Sequence, residues 1–272
     1  IIQMPPKIKP QLIGILNITE DSFYDAGKYL DIEKAMKQID NMVLHGADII
    51  DIGAESTRPG FNDISEQIQL QRTIPLVEQI NKNYIDTEIS IDTRSSVVAH
   101  EALKKGASIV NDVSSGTYDS RMLSVVSDFD AKIILTHTSE EHKNNETIDS
   151  DDIINDIKKY FNERISKAIS SGISEKKIIV DPGISFGKSG EDNIKIIRHI
   201  GSLVKEFERV CLGVSNKRFA SKIFNQFKDE DMYIASLAIT AFATCKGVMF
   251  LRVHEIDANK DALEVAWKTL NL

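Results

Sequence analysis

Three polar residues stand where short apolar runs end: Asp92 in SIDTRS, Asn111 in IVNDVSSG and Asp181 in DPGISFGK. A carboxylate at the end of an apolar strand loses hydration that only partners can replace. Two N–H groups on the edge of a flat heterocycle would replace it, and a charged acceptor would also orient the ring. An asparagine beside them adds a donor and an acceptor. Taken singly, Asp92 and Asp181 read equally well as caps of the helices that follow. Two acids and an amide on one rim favour a ligand, a ring of guanine or pterin type.

A second set is cationic: Arg58 in ESTRPG, Lys217 and Arg218 in GVSNKRF, Arg252 and His254 in LRVHEI. Arg grips phosphate oxygens with a planar fork and Lys acts as a point charge. Any one of these alone reads as a surface ion pair worth roughly 0–1 kcal/mol, and a lone His254 as a structural histidine. Together they suit a phosphorylated ligand. Arg252 and His254 alternate along a strand, so their side chains point the same way. The stretch ILNITEDSFYDAGKY sets Asn17, Asp21 and Phe23 in a long polar loop that reads as a lid. Asn17 is placed for phosphate, or for a Mg2+ carried by phosphate, since that cation prefers oxygen ligands. GISFGKS is a near-miss to a nucleotide-binding P-loop, with one residue too few between its glycines. Asp149, Asp151 and Asp152 read as acids complementing a helix N-terminus rather than as a metal cluster.

The elements that must position these groups follow from the apolar runs. Strands are expected at 12–17, 48–53, 87–92, 108–111, 131–136, 177–181, 209–214 and 247–252. Helical stretches separate them, among them 31–45, 65–82 (with Pro75 as an expected kink), 95–105, 119–128 and 151–170. Each run delivers a polar group to its end, His137 of the fifth among them. This is the layout of a single (β/α)8 TIM barrel, whose reactive groups gather at the C-terminal rim. Residues 1–11 read as an extended lead-in or linker, and residues 12–272 as the barrel.

The chain has 272 residues, of which 42% are hydrophobic, and a net charge of −8. One barrel of about 250 residues uses nearly all of it. An acidic balance argues against a broad nucleic-acid surface, though a few cations in a cleft still attract a small anion. No apolar run of membrane-spanning length and no signal peptide is apparent, so a soluble cytoplasmic protein without membrane partners is expected. Cys211 and Cys245 show no metal or redox spacing and read as two reduced thiols.

The segments GILNITEDSFYDAG, GADIIDIGAESTRPG, SIDTRS, IVNDVSSG, DPGISFGK, GVSNKRF and LRVHEI, in this order over residues 14–256, resemble the dihydropteroate synthase family. The resemblance implies a TIM barrel, a homodimer and a transferase of folate biosynthesis. It implies condensation of 6-hydroxymethyl-7,8-dihydropterin pyrophosphate with para-aminobenzoate, and Mg2+ as cofactor. Position by position, it implies that Asp92, Asn111, Asp181 and Lys217 bind the pterin. Asn17, Arg58, Arg252 and His254 would take the pyrophosphate and, through Asn17, the metal. Phe23, Pro59, Phe186, Arg218 and Phe219 would wall the aminobenzoate pocket. Asp21, Asp92, Asp181 and Lys217 would carry the catalysis. A pterin pyrophosphokinase domain upstream of the lead-in also fits the resemblance. The chain departs from the family pattern at Glu20 (usually Pro), Thr136 (Met), Ser185 (Gly) and Asn216 (Arg). Two other readings share the pterin set: a methyltransferase serving a corrinoid protein, and a pterin-binding paralogue without turnover. The methyltransferase has no use for the ESTRPG and RVH cations, while Asn216 leaves room for the paralogue.

Overall fold

The computed structural model describes residues 8–18, 24–25, 29–30, 32–55, 64–138, 152–213, 215 and 229–271, with 24–25, 29–30 and 229–231 described by backbone alone. The barrel strands are β1 (Gln11–Asn17), β2 (Ile49–Gly53), β3 (Glu88–Asp92), β4 (Ile109–Asp112), β5 (Lys132–Thr136), β6 (Ile178–Asp181), β7 (Cys211–Gly213) and β8 (Phe250–Val253). All neighbouring pairs are parallel, in the order β6-β5-β4-β3-β2-β1-β8-β7. The ring closes between β6 and β7 through the bridge Val180–Val210, where Val180 N donates to Arg209 O at 3.0 Å. A parallel pair needs a crossover, and the crossover helices are α1 (Ile32–Leu44), α2 (Glu66–Asn83), α3 (Ser96–Lys104), α4 (Met122–Asp128), α5 (Ile153–Ser170), α6 (Gly190–Phe207) and α7 (Asp229–Lys246); α8 (Ile256–Asn271) ends the chain's described part. A two-stranded antiparallel ribbon (Tyr24–Asp25 with Tyr29–Leu30) lies between β1 and α1.

Strand parity divides the apolar residues into two cores. Ile13, Ile49, Ile109, Ile134, Ile179, Cys211 and Phe250 form one cluster, which fills the barrel. Leu12, Ile50, Ile91, Val110, Leu135 and Leu251 belong to the other, shared with the helices. With a period of 2, the inward parity of Ile13, Ile109, Ile179 and Phe250 also carries Asn17, Asn111, Asp181 and Arg252 inward, at the C-terminal end.

The helix boundaries follow local chemistry. Ser65, Ser95, Asp152 and Ser189 cap α2, α3, α5 and α6, each side chain accepting from a backbone N–H three residues on, as N-cap residues do. Asp152 thus serves a helix start, as expected; Asp149 and Asp151 lie outside the described residues. α2 runs through Pro75. α4 begins at Met122, later than the expected 119, because Asp119 is spent as an acceptor for Ser96 N and Arg121 N, both at 3.0 Å. Cys211 is buried inside the barrel and neither cysteine is in a disulfide. No described helix is long and apolar enough to cross a membrane.

Candidate active site

Register places the rim residues side by side. Asn17 pairs with Gly53, Gly53 with Asp92, and Asp92 with Asn111. Asp181 stands across from Thr136 on β5, two residues further toward the mouth than the Asn111–Ile134 level. One level below the rim, Asp51 pairs with Ser90. Gly53 leaves the rim open: a Cβ there would lie 3.3 Å from Asp92 Cβ and 3.5 Å from Asn17 Oδ1.

Arg252 organises this layer. Its Nε donates to Asp51 Oδ2 at 2.7 Å and its Nη2 to Asp92 Oδ2 at 2.7 Å. Asn111 Nδ2 donates to the same Asp51 oxygen at 3.2 Å. All four groups are largely withdrawn from solvent, Asp51 completely. Burial works against the charge of Arg252, but Asp51 and Asp92 outweigh it and hold the guanidinium charged. Asp92 goes the other way. Burial, the largest cause, pushes it up, Arg252 pulls it down, the negative neighbours Asp51, Asp112 and Glu55 push it up again, and it ends at about 7. Two buried polar atoms on the Asp51 level, Asp51 Oδ1 and Ser90 Oγ, have no hydrogen-bond partner among the described residues.

Asp92 is therefore no helix cap; Ser95 does that work for α3. Asp181 does have a local task, with Oδ1 accepting from Gly183 N at 2.8 Å. The loop that follows is drawn together by Lys188, whose buried ammonium donates to the carbonyls of His137 (2.7 Å), Gly183 (2.8 Å) and Phe186 (3.1 Å). Gly183, at φ +68°, comes so close to His137 O that a Cβ would sit 2.1 Å from it. His254 shares the inward parity of Arg252 and meets Ser215 from two sides: its backbone N lies 3.3 Å, and its Nδ1 3.1 Å, from Ser215 Oγ. Ser215 in turn donates to Glu255 Oε2 at 3.2 Å, joining the ends of β7 and β8.

Two strand-end groups do structural work. Glu55 Oε2 takes both Arg94 Nε (3.1 Å) and Arg94 Nη2 (2.9 Å), and Arg94 lies 4.4 Å from the ring centroid of Tyr118. His137 falls on the outward parity, one residue past inward Thr136. It packs edge-on against Tyr160, with ring centroids 4.9 Å apart, and takes no part in the rim. Asp21, Phe23, Arg58, Pro59, Lys217, Arg218 and Phe219 lie outside the described residues, as do Glu20 and Asn216. Asp51 is the member that sequence reasoning passed over. The signal was there: one acid alternating with isoleucines in IIDIG must face a barrel interior, where it needs a cation.

A closed parallel barrel with Asp51, Asp92, Asn111 and Arg252 joined at its C-terminal mouth is the layout of a TIM-barrel enzyme, whose reactive groups gather at that end. The sequence profile of the family described as "Pterin binding enzyme" matches residues 13–254, and the chain belongs to that family. Within it, the similar proteins are dihydropteroate synthases. That of Staphylococcus epidermidis is 37% identical over 258 residues, 93% of this chain and 92% of its own. The structure of the Clostridium difficile dihydropteroate synthase in the presence of pteroic acid matches with TM-score 0.89 and 34% identity, over 98% of this chain and 99% of that one. The Xanthomonas albilineans dihydropteroate synthase with 4-aminobenzoic acid matches with TM-score 0.88 and 32% identity, over 97% and 93%.

Proposed function

We propose that this mouth joins 6-hydroxymethyl-7,8-dihydropterin pyrophosphate to para-aminobenzoate, giving 7,8-dihydropteroate and pyrophosphate. The observation that carries the reading is the Asp51–Arg252–Asp92–Asn111 network, which sets acceptors and a fixed cation at one rim. The relatives of Clostridium difficile and Xanthomonas albilineans, structurally characterised with pteroic acid and 4-aminobenzoic acid, support the same substrate pair.

Asp92, Asn111 and Asp181 bind the pterin edge in this reading, with Lys217. The methylene C–O bond breaks and its electron pair leaves with pyrophosphate. Arg252, His254, Arg58 and Asn17 meet the departing charge, which preorganised cations stabilise at little reorganisation cost. The positive charge left on the methylene is shared with the ring and favoured by Asp92 and Asp181, with Asp21 approaching from the first loop. The aminobenzoate nitrogen then forms the new C–N bond and loses a proton, so no covalent protein nucleophile is needed. Phe186, Phe23, Pro59, Arg218 and Phe219 wall the aminobenzoate pocket. Asn17 offers an exposed side-chain oxygen at the rim. One such ligand beside a diphosphate suits Mg2+, which is commonly held by one or two protein groups and substrate phosphates; when bound, the ion neutralises leaving-group charge. The active unit is a cytoplasmic homodimer, and the exposed apolar side chains Ile234 and Phe242 of α7 support the dimeric state.

The test is pyrophosphate release with both substrates present, with and without Mg2+. Release that needs para-aminobenzoate supports the synthase. Pterin binding without release leaves a non-catalytic pterin protein, and methyl transfer to a corrinoid leaves the methyltransferase.

A further inference from the structure

Asn111 offers a ligand either a donor or an acceptor, depending on which way its amide lies. The structure leaves no choice. Asp51 Oδ2 accepts from Arg252 Nε at 2.7 Å, so it has no proton to give and can only accept from Asn111. The amide must therefore turn Nδ2 downward, as it does at 3.2 Å. Asp51 sits one level below the rim, in register with Ser90, whereas Asn111 is level with Asp92 and Gly53. The carbonyl branch of the planar amide consequently faces the mouth. Both residues are buried, so solvent does not compete for the amide.

We propose that Asp51 is a positioning residue that fixes the hydrogen-bond polarity of Asn111, so that Asn111 joins Asp92 and Asp181 in presenting acceptors to a ring edge made of donors. The inference rests on the pterin reading above for the identity of that ring. Asp92 and Asp181 contribute carboxylate oxygens, and with Asn111 locked the rim offers no side-chain amide donor from these three. A 2-amino-4-oxo pyrimidine edge, with its exocyclic amine and N3–H, satisfies such a rim. A 2,4-diamino edge replaces the N3–H by a lone pair and sets acceptor against acceptor. A site with buried polar groups rejects a ligand that leaves them unmatched far more strongly than it rejects a missing methylene.

The experiment is calorimetry with two neutral probes, 2-amino-4-oxopteridine and 2,4-diaminopteridine, on the full chain and on Asp51→Asn at pH 8. The unmodified protein should prefer the oxo ring by roughly 10⁴-fold. In Asp51→Asn the amide is free to reverse, and the preference should shrink at least tenfold. A loss of packing or stability would weaken both probes together and leave their ratio alone. An unchanged ratio overturns the proposal. A second readout covers a variant that does not fold: the side-chain amide protons of Asn111 in the unmodified protein, observed by nitrogen-15 NMR. A nuclear Overhauser contact between these protons and the Arg252 Nε proton, both donated to Asp51 Oδ2, supports the lock, and its absence overturns it. If neither probe binds the unmodified protein, the pterin reading fails, and the amide protons still decide the role of Asp51.

Discussion

At Asp92 burial and three negative neighbours oppose one arginine, and the acid ends up at about 7. Its charge therefore titrates within the working range. Below pH 7 it takes a proton and turns a donor toward ring N–H groups; above, it accepts from them. We expect kcat/KM for the pterin substrate to fall toward tenfold per pH unit below about 7, with the fall absent in Asp92→Asn, whose basal rate is low throughout. A profile flat to pH 5 would remove Asp92 from the ring contact. Asp181 is held by Gly183 N on one oxygen, so Asp181→Asn can put its amide nitrogen toward the ligand. That loss of a charged hydrogen bond should cost about 1.5–3 kcal/mol of pterin affinity by calorimetry; an unchanged affinity would refute the assignment. Much at this scale was legible: Asp92, Asn111, Asp181 and Arg252 all end apolar runs and all converge. Asp51 was not picked out, because it lies inside its run and its meaning depends on Arg252, 201 residues away.

At the scale of elements, run lengths and cap residues revealed every barrel strand and each helix expected from them, while orientation needed register. His137 looked like a rim group because it follows β5, but parity turns it outward against Tyr160. There it is kept neutral: burial, then the nearby Lys188 charge, lowers it from 6.5 to about 3. The sign follows from that depression. Above pH 6.5 the folded and unfolded histidines are both neutral and nothing is lost. As pH falls from 6.5 toward 3 only the unfolded form gains a proton, so stability drains away. The ceiling is roughly 4–5 kcal/mol, at 1.36 kcal/mol per unit. Urea unfolding should show His137→Asn losing about 2 kcal/mol less than the parent between pH 7 and 4.5; equal losses would disprove the buried neutral state. The next loop carries a second local cost. Ser185, where the family resemblance implies Gly, sits at φ +68° with its N–H held by Asn193 Oδ1 at 2.7 Å. The left-handed region costs an L-residue about 1–2 kcal/mol, partly offset in glycine by greater unfolded-state freedom.

For the whole molecule the informative element is α7. From Met232 to Cys245 it carries no charged residue, although the chain as a whole is 27% charged. Its inner face is accounted for: Ala235, Ile239 and Ala243 are buried, and Thr240 donates to Asn259 Oδ1 of α8 at 2.7 Å. Its outer face is apolar as well. Ile234 is 56% exposed, Tyr233 42% and Phe242 37%. Residues 234, 238 and 242 recur every four positions, so they share one side of the helix. A helix apolar on all sides is normally covered on all sides, and a second copy of the chain placed about a twofold axis would cover this one with an identical face. This face is where the homodimer proposed above would make its contact. Ile234→Glu should convert the protein to a monomer at micromolar concentration: burying an isoleucine contributes roughly 1.5–3 kcal/mol, it occurs twice in a twofold contact, and the variant adds two like charges. Light scattering during size exclusion reads the outcome. A parent protein already monomeric at that concentration, or a variant that remains dimeric, would place the contact elsewhere. The barrel mouth lies within one chain, with Asp51, Asp92, Asn111 and Arg252 all intramolecular, so the monomeric variant should still bind the pterin ring.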